Sequence, residues 1–259
     1  MNIQDLLVYR SSSPVKHQAG MAFDGTNVLL DHWIASWDTK KPLLDIGCGN
    51  CNNAIAAAQQ GAKVLAGEMS HQTIASLEQE HGHENNLSFH YVKLPDEVPF
   101  MEESISGVLC SEVLHFLTHD EVLGTLSEVH RILKPEGTMV VCCGSEDAKA
   151  LQKTGFVEAQ EKKREKEPDH LHHIDDILSL MEKGLRSYKL PADDIQEGIE
   201  FYRSLMPHSR FNLFNKHQLA ETFEKNGFKV EHLQSGPAPH YPMWDHGDHD
   251  QIRIIAKKI

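Results

Sequence analysis

The chain has 259 residues, 40% of them hydrophobic, and its 25 Lys and Arg against 38 Asp and Glu give a formal net charge of −13. That length holds one generous domain, or a domain with an insertion, and the apolar content is enough for a real core. The charge argues against an extended nucleic-acid surface, no apolar run nears the roughly 20 residues of a membrane span, and five cysteines with no signal-peptide pattern at Met1 point to reduced thiols in a cytoplasmic protein. Taken in order, residues 5–10 and 28–37 read as helices, joined by a polar segment containing Ser11-Ser12-Ser13-Pro14 and Gly20.

The next stretch organises the rest. Leu43, Leu44 and Ile46 form a short apolar run, a buried strand closed by Gly47 and Gly49. Residues 53–60 then have helix-forming composition with a stop at Gly61. A strand, a Gly-rich turn and a helix start make a nucleotide-type pocket: the glycines let the backbone turn tightly and approach a ligand, and the helix start presents free N–H groups. Residues 62–68 give a second strand ending in Glu68, an acid placed to accept from two ribose hydroxyls. A helix over 70–80 carries Ile74 and Leu77 on one face; residues 87–92 and 105–110 read as the third and fourth strands. Thr118-His119-Asp120-Glu121 has capping-box spacing ahead of a stripe of Val122, Leu126, Val129 and Leu133. Lys134-Pro135-Glu136-Gly137 closes that helix, and residues 138–143 form the fifth strand.

Residues 146–211 break this rhythm. The mixed-charge run 161–167 reads as a solvated helix face or loop. Two amphipathic helices follow, one with Ile177, Leu178, Met181 and Leu185 on its stripe, the other with Ile195, Ile199, Tyr202 and Leu205; Gly184 and Pro191 read as flexible joints. Asn215 and Gly227 bracket a last helix, and residues 228–233 and 251–256 are two more strands. Strands alternating with helices predict a doubly wound α/β sheet, with ligands at the strands' C-terminal ends.

Three stretches resemble, in the right order, the class I (Rossmann-like) S-adenosylmethionine-dependent methyltransferases of small-molecule type. They are Asp45-Ile46-Gly47-Cys48-Gly49-Asn50 with Glu68, Val98–Phe100 through Ser111-Glu112-Val113-Leu114-His115-Phe116-Leu117, and residues 131–141. The resemblance covers residues 41–145 and 212–259; it departs at Cys51, where a third loop glycine is common, and at Ile105-Ser106, where a Phe-Asp pair is common. It implies a mostly parallel seven-stranded sheet with an antiparallel C-terminal hairpin and a helical insertion after the fifth strand. The implied organisation is an N-terminal helical cap (1–37), a cofactor-binding domain (38–145 and 212–259) and a helical lid (146–211). The implied cofactor is S-adenosylmethionine, held by Asp45, Gly47, Cys48, Gly49, Asn50, Glu68, Met69, Leu94, Pro95, Cys110 and Ser111. Tyr9 and His17 become candidates to shape the acceptor site. His115, after the fourth strand, is a candidate to take a proton from a hydroxyl or amine acceptor, or else to pack against the cofactor.

Other readings of the same residues are weaker. A dinucleotide site would want a glycine at Asn52 and tends to lack an acid at Asp45. Cys48 and Cys51 have redox or zinc spacing, but no second Cys pair completes a zinc site; Cys142 and Cys143, adjacent on a strand, face opposite sides. His240, Asp245, His246, Asp248, His249 and Asp250 read as a solvated hairpin loop, and His170, His172 and His173 likewise, so no metal is assigned. The expected activity is transfer of a methyl group to a small-molecule acceptor by in-line displacement. A protein methyltransferase, and a non-catalytic cofactor-binding protein that uses 146–211 to hold a partner, stand as alternatives; the acceptor atom and the oligomeric state are open.

Overall fold

A computed structural model describes residues 14–17, 20–23, 25–187, 191–205, 211–238 and 246–259. A short antiparallel hairpin, β1 (Pro14–His17) and β2 (Gly20–Phe23), lies where the sequence reads as a polar connector. Cross-strand pairing, with Pro14 opposite Phe23 and His17 opposite Gly20, satisfies backbone groups that no sequence period announces. Helix α1 (Leu30–Ala35) is shorter than the expected 28–37, and the expected helix 5–10 lies outside the described residues. Trp33 anchors α1: it is fully buried, and its indole N–H donates to the Gly107 carbonyl at 3.3 Å.

The sheet elements follow the expected alternation. They are β3 (Leu43–Ile46), α2 (Asn52–Gln59), β4 (Val64–Glu68), α3 (His71–His81), β5 (Leu87–Tyr91), β6 (Ile105–Ser111), α4 (His119–Ile132) and β7 (Leu133–Gly144). The N-terminal signals act as read. Ser70 Oγ accepts from the Thr73 N–H, and Thr118 and Glu121 close a reciprocal capping box. One boundary differs: Leu133 already pairs with Ile105, so 134–137 is not a free turn but an irregularity inside β7, with Glu136 at φ +58°. The pairing resumes regularly from Gly107 opposite Thr138.

After the insertion come α8 (Lys216–Lys225), β8 (Phe228–Gly236) and β9 (Gln251–Lys258). The seven strands run β5-β4-β3-β6-β7-β9-β8, parallel from β5 to β7, with β9 and β8 antiparallel. Alternate residues of the central strands enter opposite cores. Leu44, Val108, Cys110, Val141 and Cys143 join Val122, Leu126 and Phe223 on the α4 and α8 side. Leu43, Leu109, Val140 and Cys142 join Trp33, Ala54 and Leu77 on the α1–α3 side. This double burial is why the strands read as unbroken apolar runs, and it puts Cys142 and Cys143 on opposite faces.

Between β7 and α8 stand α5 (Phe156–Arg164), α6 (Ile177–Ser187) and α7 (Ala192–Leu205). Ile177, Met181 and Leu185 of α6 meet Ile195 and Ile199 of α7 together with Ala148, Leu151 and Phe156, a hydrophobic cluster separate from the two sheet cores. The two stripes therefore cover each other and the start of the insertion, and not chiefly a pocket mouth. Gly184 is not a joint: it sits inside α6, where a Cβ would come within 2.7 Å of the Ala150 carbonyl oxygen. The two stems of the insertion run side by side, Glu146 N–H donating to Phe214 O at 3.0 Å and Phe214 N–H to Gly144 O at 3.1 Å. The buried Glu146 carboxylate holds Arg164 at 2.5 Å and Asn215 at 2.7 Å, tying the end of α5 to the start of α8.

Candidate active site

The strand order reverses between β3 and β6, which leave in sequence toward opposite edges of the sheet. At such a switch point the C-terminal ends of the two strands open a crevice for a ligand. The loop after β3 fills its floor. Gly47 (φ +69°) and Gly49 (φ +54°) adopt left-handed backbone, and the N–H groups of Gly47 and Cys48 both donate to Gly67 O, at 2.8 and 3.0 Å, fastening the loop to β4. A side chain at Gly47 would meet Val113 Cγ2 at 2.4 Å, so the loop and the segment after β6 touch only because no Cβ intervenes. Cys51, in the place of the third glycine, is also left-handed (φ +60°) and fully buried; the turn survives without glycine because its N–H donates to Cys48 O at 2.8 Å and its carbonyl accepts from Ile55.

Two carboxylates sit against this loop. Glu68 is 5% exposed: Oε2 accepts from Gly49 N–H at 3.3 Å, and Oε1 from Met69 N–H at 2.7 Å and Ser70 N–H at 3.3 Å. Backbone donors of two loops thus fix the acid before any ligand does. Asp45 is 1% exposed and takes a backbone hydrogen bond from Ala54 at the start of α2, while its Oδ2 has no partner among the described residues. Burial, then the neighbouring Glu68 charge, raises its pKa to about 7. An orphaned buried oxygen beside a second carboxylate suits a ligand bearing a cationic amine and ribose hydroxyls, and repels a pyrophosphate. The donor set fits S-adenosylmethionine in kind, with its ammonium and sulfonium charges.

The remaining expected cofactor residues lie in β6 and in the loops that follow β3, β4 and β5. Asn50 and Ser111 are half-buried, and Met69 is 54% exposed on the rim beside Glu68. Leu94 and Pro95 follow β5 at the tip of a turn closed by reciprocal Lys93–Glu97 backbone bonds, next to β4 because Val92 N–H donates to Glu68 O. Cys110 offers the crevice backbone and not sulfur: its thiol lies in the α4-side core, where burial raises its pKa. A hydrogen bond with Cys51, then burial, holds the Cys48 thiol well above its ordinary pKa, which argues for an inert filler over a redox pair.

Three site residues escape sequence reasoning. Glu112, directly after β6, has φ +56°; its Oε1 accepts from Gln251 Nε2 at 2.6 Å and its N–H donates to Cys142 O. Its signal in the sequence is an acid two residues past the expected fourth strand, 105–110. Asn27 donates through Nδ2 to Ser111 Oγ at 2.7 Å and through its backbone to Asn53 Oδ1 at 2.7 Å, fastening the segment before α1 to both crevice walls. Neither Asn27 nor Gln251 belongs to a local motif.

His115 is buried between aromatic rings, stacked on Phe211 (4.3 Å, 25°) and edge-on to Phe116. Burial lowers its pKa to about 3, so the ring is neutral at ordinary pH and its 3.8 Å approach to Glu112 is not an ion pair. Nδ1 faces the Gly144 N–H at 3.5 Å, placing the ring proton on Nε2. Tyr9 lies outside the described residues, and of His17 only the backbone is described. Of the His/Asp-rich loop, residues 240–245 are likewise outside the description. Asp250 is not solvated: fully buried, it accepts from the Lys149 and Gly247 N–H groups.

Comparison with known proteins agrees with this geometry. Residues 44–141 match the family described as "Methyltransferase domain". YqeM of Bacillus subtilis (strain 168), a methyltransferase by assignment, is 28% identical over 110 residues, covering 42% of this chain. That match spans 44% of YqeM's own length. An S-adenosylmethionine-dependent methyltransferase structure from Methanosarcina mazei superposes with a TM-score of 0.61 at 12% identity, covering 90% of this chain and 98% of that one. The Burkholderia thailandensis 1,6-didemethyltoxoflavin-N1-methyltransferase, solved with that substrate and S-adenosylhomocysteine, superposes at 0.53 and 16% identity, over 89% of this chain and 78% of that one. At these identities the structural likenesses establish the fold.

Proposed function

We propose that the chain, whose residues 44–141 match a methyltransferase-domain family, is a class I, S-adenosylmethionine-dependent enzyme that transfers a methyl group to a small-molecule acceptor in the β3–β6 crevice. The observation that carries this reading is the pair of buried carboxylates at the switch point, Glu68 held by three backbone donors and Asp45 with an oxygen unpartnered. When bound, the cofactor supplies an electrophilic methyl on a sulfonium, open to in-line displacement. Glu68 would accept from the ribose hydroxyls and Asp45 would answer the amino group. The backbone of Gly47 and Gly49 lets both groups approach, and positioning of this kind contributes up to about 7–11 kcal/mol in the best intramolecular cases.

A small acceptor agrees with the net charge of −13, which disfavours nucleic acid, and with the small substrate named for the Burkholderia neighbour. Glu112, whose carboxylate stands beside Gln251 and His115, directly follows β6 at the C-terminal sheet edge, and we assign it to the acceptor side of the crevice. His115, as a neutral ring under Phe211, would shape that wall and can act as a base only weakly. The insertion leaves from the same sheet edge as the crevice, and we assign it the role of a cover that selects acceptors. No described helix is long and apolar enough to cross a membrane, and the five cysteines are all buried free thiols, in keeping with a reduced, cytoplasmic setting.

The test is calorimetry with S-adenosylhomocysteine and NAD, followed by turnover of S-adenosylmethionine against a metabolite library. Binding of S-adenosylhomocysteine and methylation of a metabolite are expected. A protein that takes NAD and ignores S-adenosylhomocysteine would overturn the reading. Methylation only of protein substrates would move the acceptor class.

A further inference from the structure

The loop between α5 and α6 gathers ligating side chains that the crevice does not use. Glu167, His170 and His172 bring one carboxylate oxygen and two ring nitrogens within 4.8 Å of one another. The His170 and His172 rings lie 4.7 Å apart, and His172 Nε2 stands 3.9 Å from Glu167 Oε2. His172 is 13% exposed in its side chain, and its buried Nε2 has no hydrogen-bond partner among the described residues. The Lys163 backbone carbonyl lies against the same ring, and an acceptor on the far nitrogen fixes the tautomer of a ligating histidine. We propose that Glu167, His170 and His172 form a three-ligand site for a divalent transition-metal cation of the zinc type, held within the insertion's own α5–α6 loop.

The scaffold around the three residues is already held. Gln218 Nε2 donates to the carbonyls of Pro168 and His170, at 2.8 and 3.0 Å, and Lys225 pairs with Asp169 at 2.5 Å, both from α8. Leu171 N–H donates to His119 Nδ1 at 3.2 Å, and the Leu171 side chain enters the α4-side core. The ligand-bearing loop is thus pinned on both sides, and only side-chain adjustment is needed. Zinc bonds of roughly 2.0–2.2 Å place ligand atoms about 3.3 Å apart in a tetrahedron, so closure requires movements of about an ångström. Glu167, 65% exposed in its side chain, is free to supply them.

The donor set chooses the class of ion. Two imidazoles and one carboxylate suit zinc and its neighbours and are poor for calcium or magnesium, which want oxygen ligands. The His119 ring also lies 4.4 Å from His170, tilted 39° to it, yet it is no fourth ligand, because its Nδ1 is taken by Leu171 and its Nε2 keeps the proton. The fourth position is left to water. The Lys163 ammonium near His172 opposes a cation, and the Glu167 charge offsets it.

Tag-free, full-length protein stripped with a chelator and titrated with zinc chloride tests the site, by calorimetry and by competition with a chromophoric chelator. One zinc per chain is expected, with affinity at least about tenfold lower in His170→Ala and in His172→Ala, since even outer-shell changes cost about 10–100-fold. Zinc should raise the melting temperature of the wild type and not that of His172→Ala. Both variants should bind S-adenosylhomocysteine as the wild type does, which shows them folded. Cobalt(II) in the same site should give a visible spectrum without a thiolate charge-transfer band. Absence of binding, affinity unchanged in both variants, or a thiolate band would overturn the proposal; the last two would place the ion on the 240–249 stretch or the cysteines.

Discussion

Replacing Asp45 by Asn tests the electrostatic logic of the crevice. Asp45 has its pKa raised from 3.8 to about 7, first by burial and then by Glu68. Its folded value lies above its unfolded one, so the native state keeps a proton that the unfolded chain releases from about pH 4 upward. The associated stability is complete below pH 3.8 and is lost as pH rises to about 7. Three pKa units at about 1.36 kcal/mol each make that loss about 4 kcal/mol at pH 8.5 and under about 2 at pH 5. Asn keeps an acceptor for the Ala54 N–H and removes the charge, so Asp45→Asn should be more stable than the wild type by about those amounts in cofactor-free protein. Urea unfolding at the two pH values measures the difference. The same substitution should weaken S-adenosylhomocysteine at least tenfold at pH 8.5. Wild-type affinity should climb as pH rises through 7 while Asp45→Asn stays flat, because the ligand's ammonium favours the ionised acid. An equal stability gap at both pH values, or unimpaired binding by Asp45→Asn, refutes the reasoning.

Glu68→Gln exchanges a charged acceptor for a neutral one at about 1.5–3 kcal/mol per hydrogen bond, so calorimetry should show at least a tenfold loss for S-adenosylhomocysteine with circular dichroism unchanged. His115, lowered to about 3 by burial, favours folding fully above its unfolded value of 6.5 and loses that contribution as pH falls toward 3. The wild type should therefore lose about 2–3 kcal/mol between pH 6.5 and 4.5 that His115→Phe keeps, and methylation by the wild type should show no step near pH 6.5 from this ring. Replacing residues 158–205 with a short Gly-Ser linker should spare S-adenosylhomocysteine binding and abolish acceptor methylation; intact methylation would remove the insertion from the acceptor site.

The sheet and the cofactor loop were legible because their signals are local. An apolar run, two glycines and an acid at fixed spacing are dictated by backbone geometry, and Ser70, Thr118 and Asn215 cap helices within three residues of themselves. Asn27 and Gln251 were hidden because their partners lie 84 and 139 residues away, and nothing in their neighbourhoods records a long-range contact. Gly184 misled for a related reason: in sequence a glycine is a hinge, and only the approach of Ala150 shows it to be a place where two backbones touch. His115 illustrates a third limit, since position after a strand does not reveal that aromatic rings will enclose the imidazole and hold it neutral.

The separate core of the insertion bears on how such a chain can change over generations. Ile177, Leu185 and Ile199 pack with Phe156 and Phe211, not with the residues that brace Gly47 and Glu68. Substitutions without shared partners add nearly independently, so drift inside this cluster, at positions other than Phe211, leaves the loop at Gly47 nearly untouched. Lineages could therefore reshape the α6–α7 packing residue by residue, while Leu171 and Phe211, which reach the α4-side core and His115, held the insertion in register with the sheet edge.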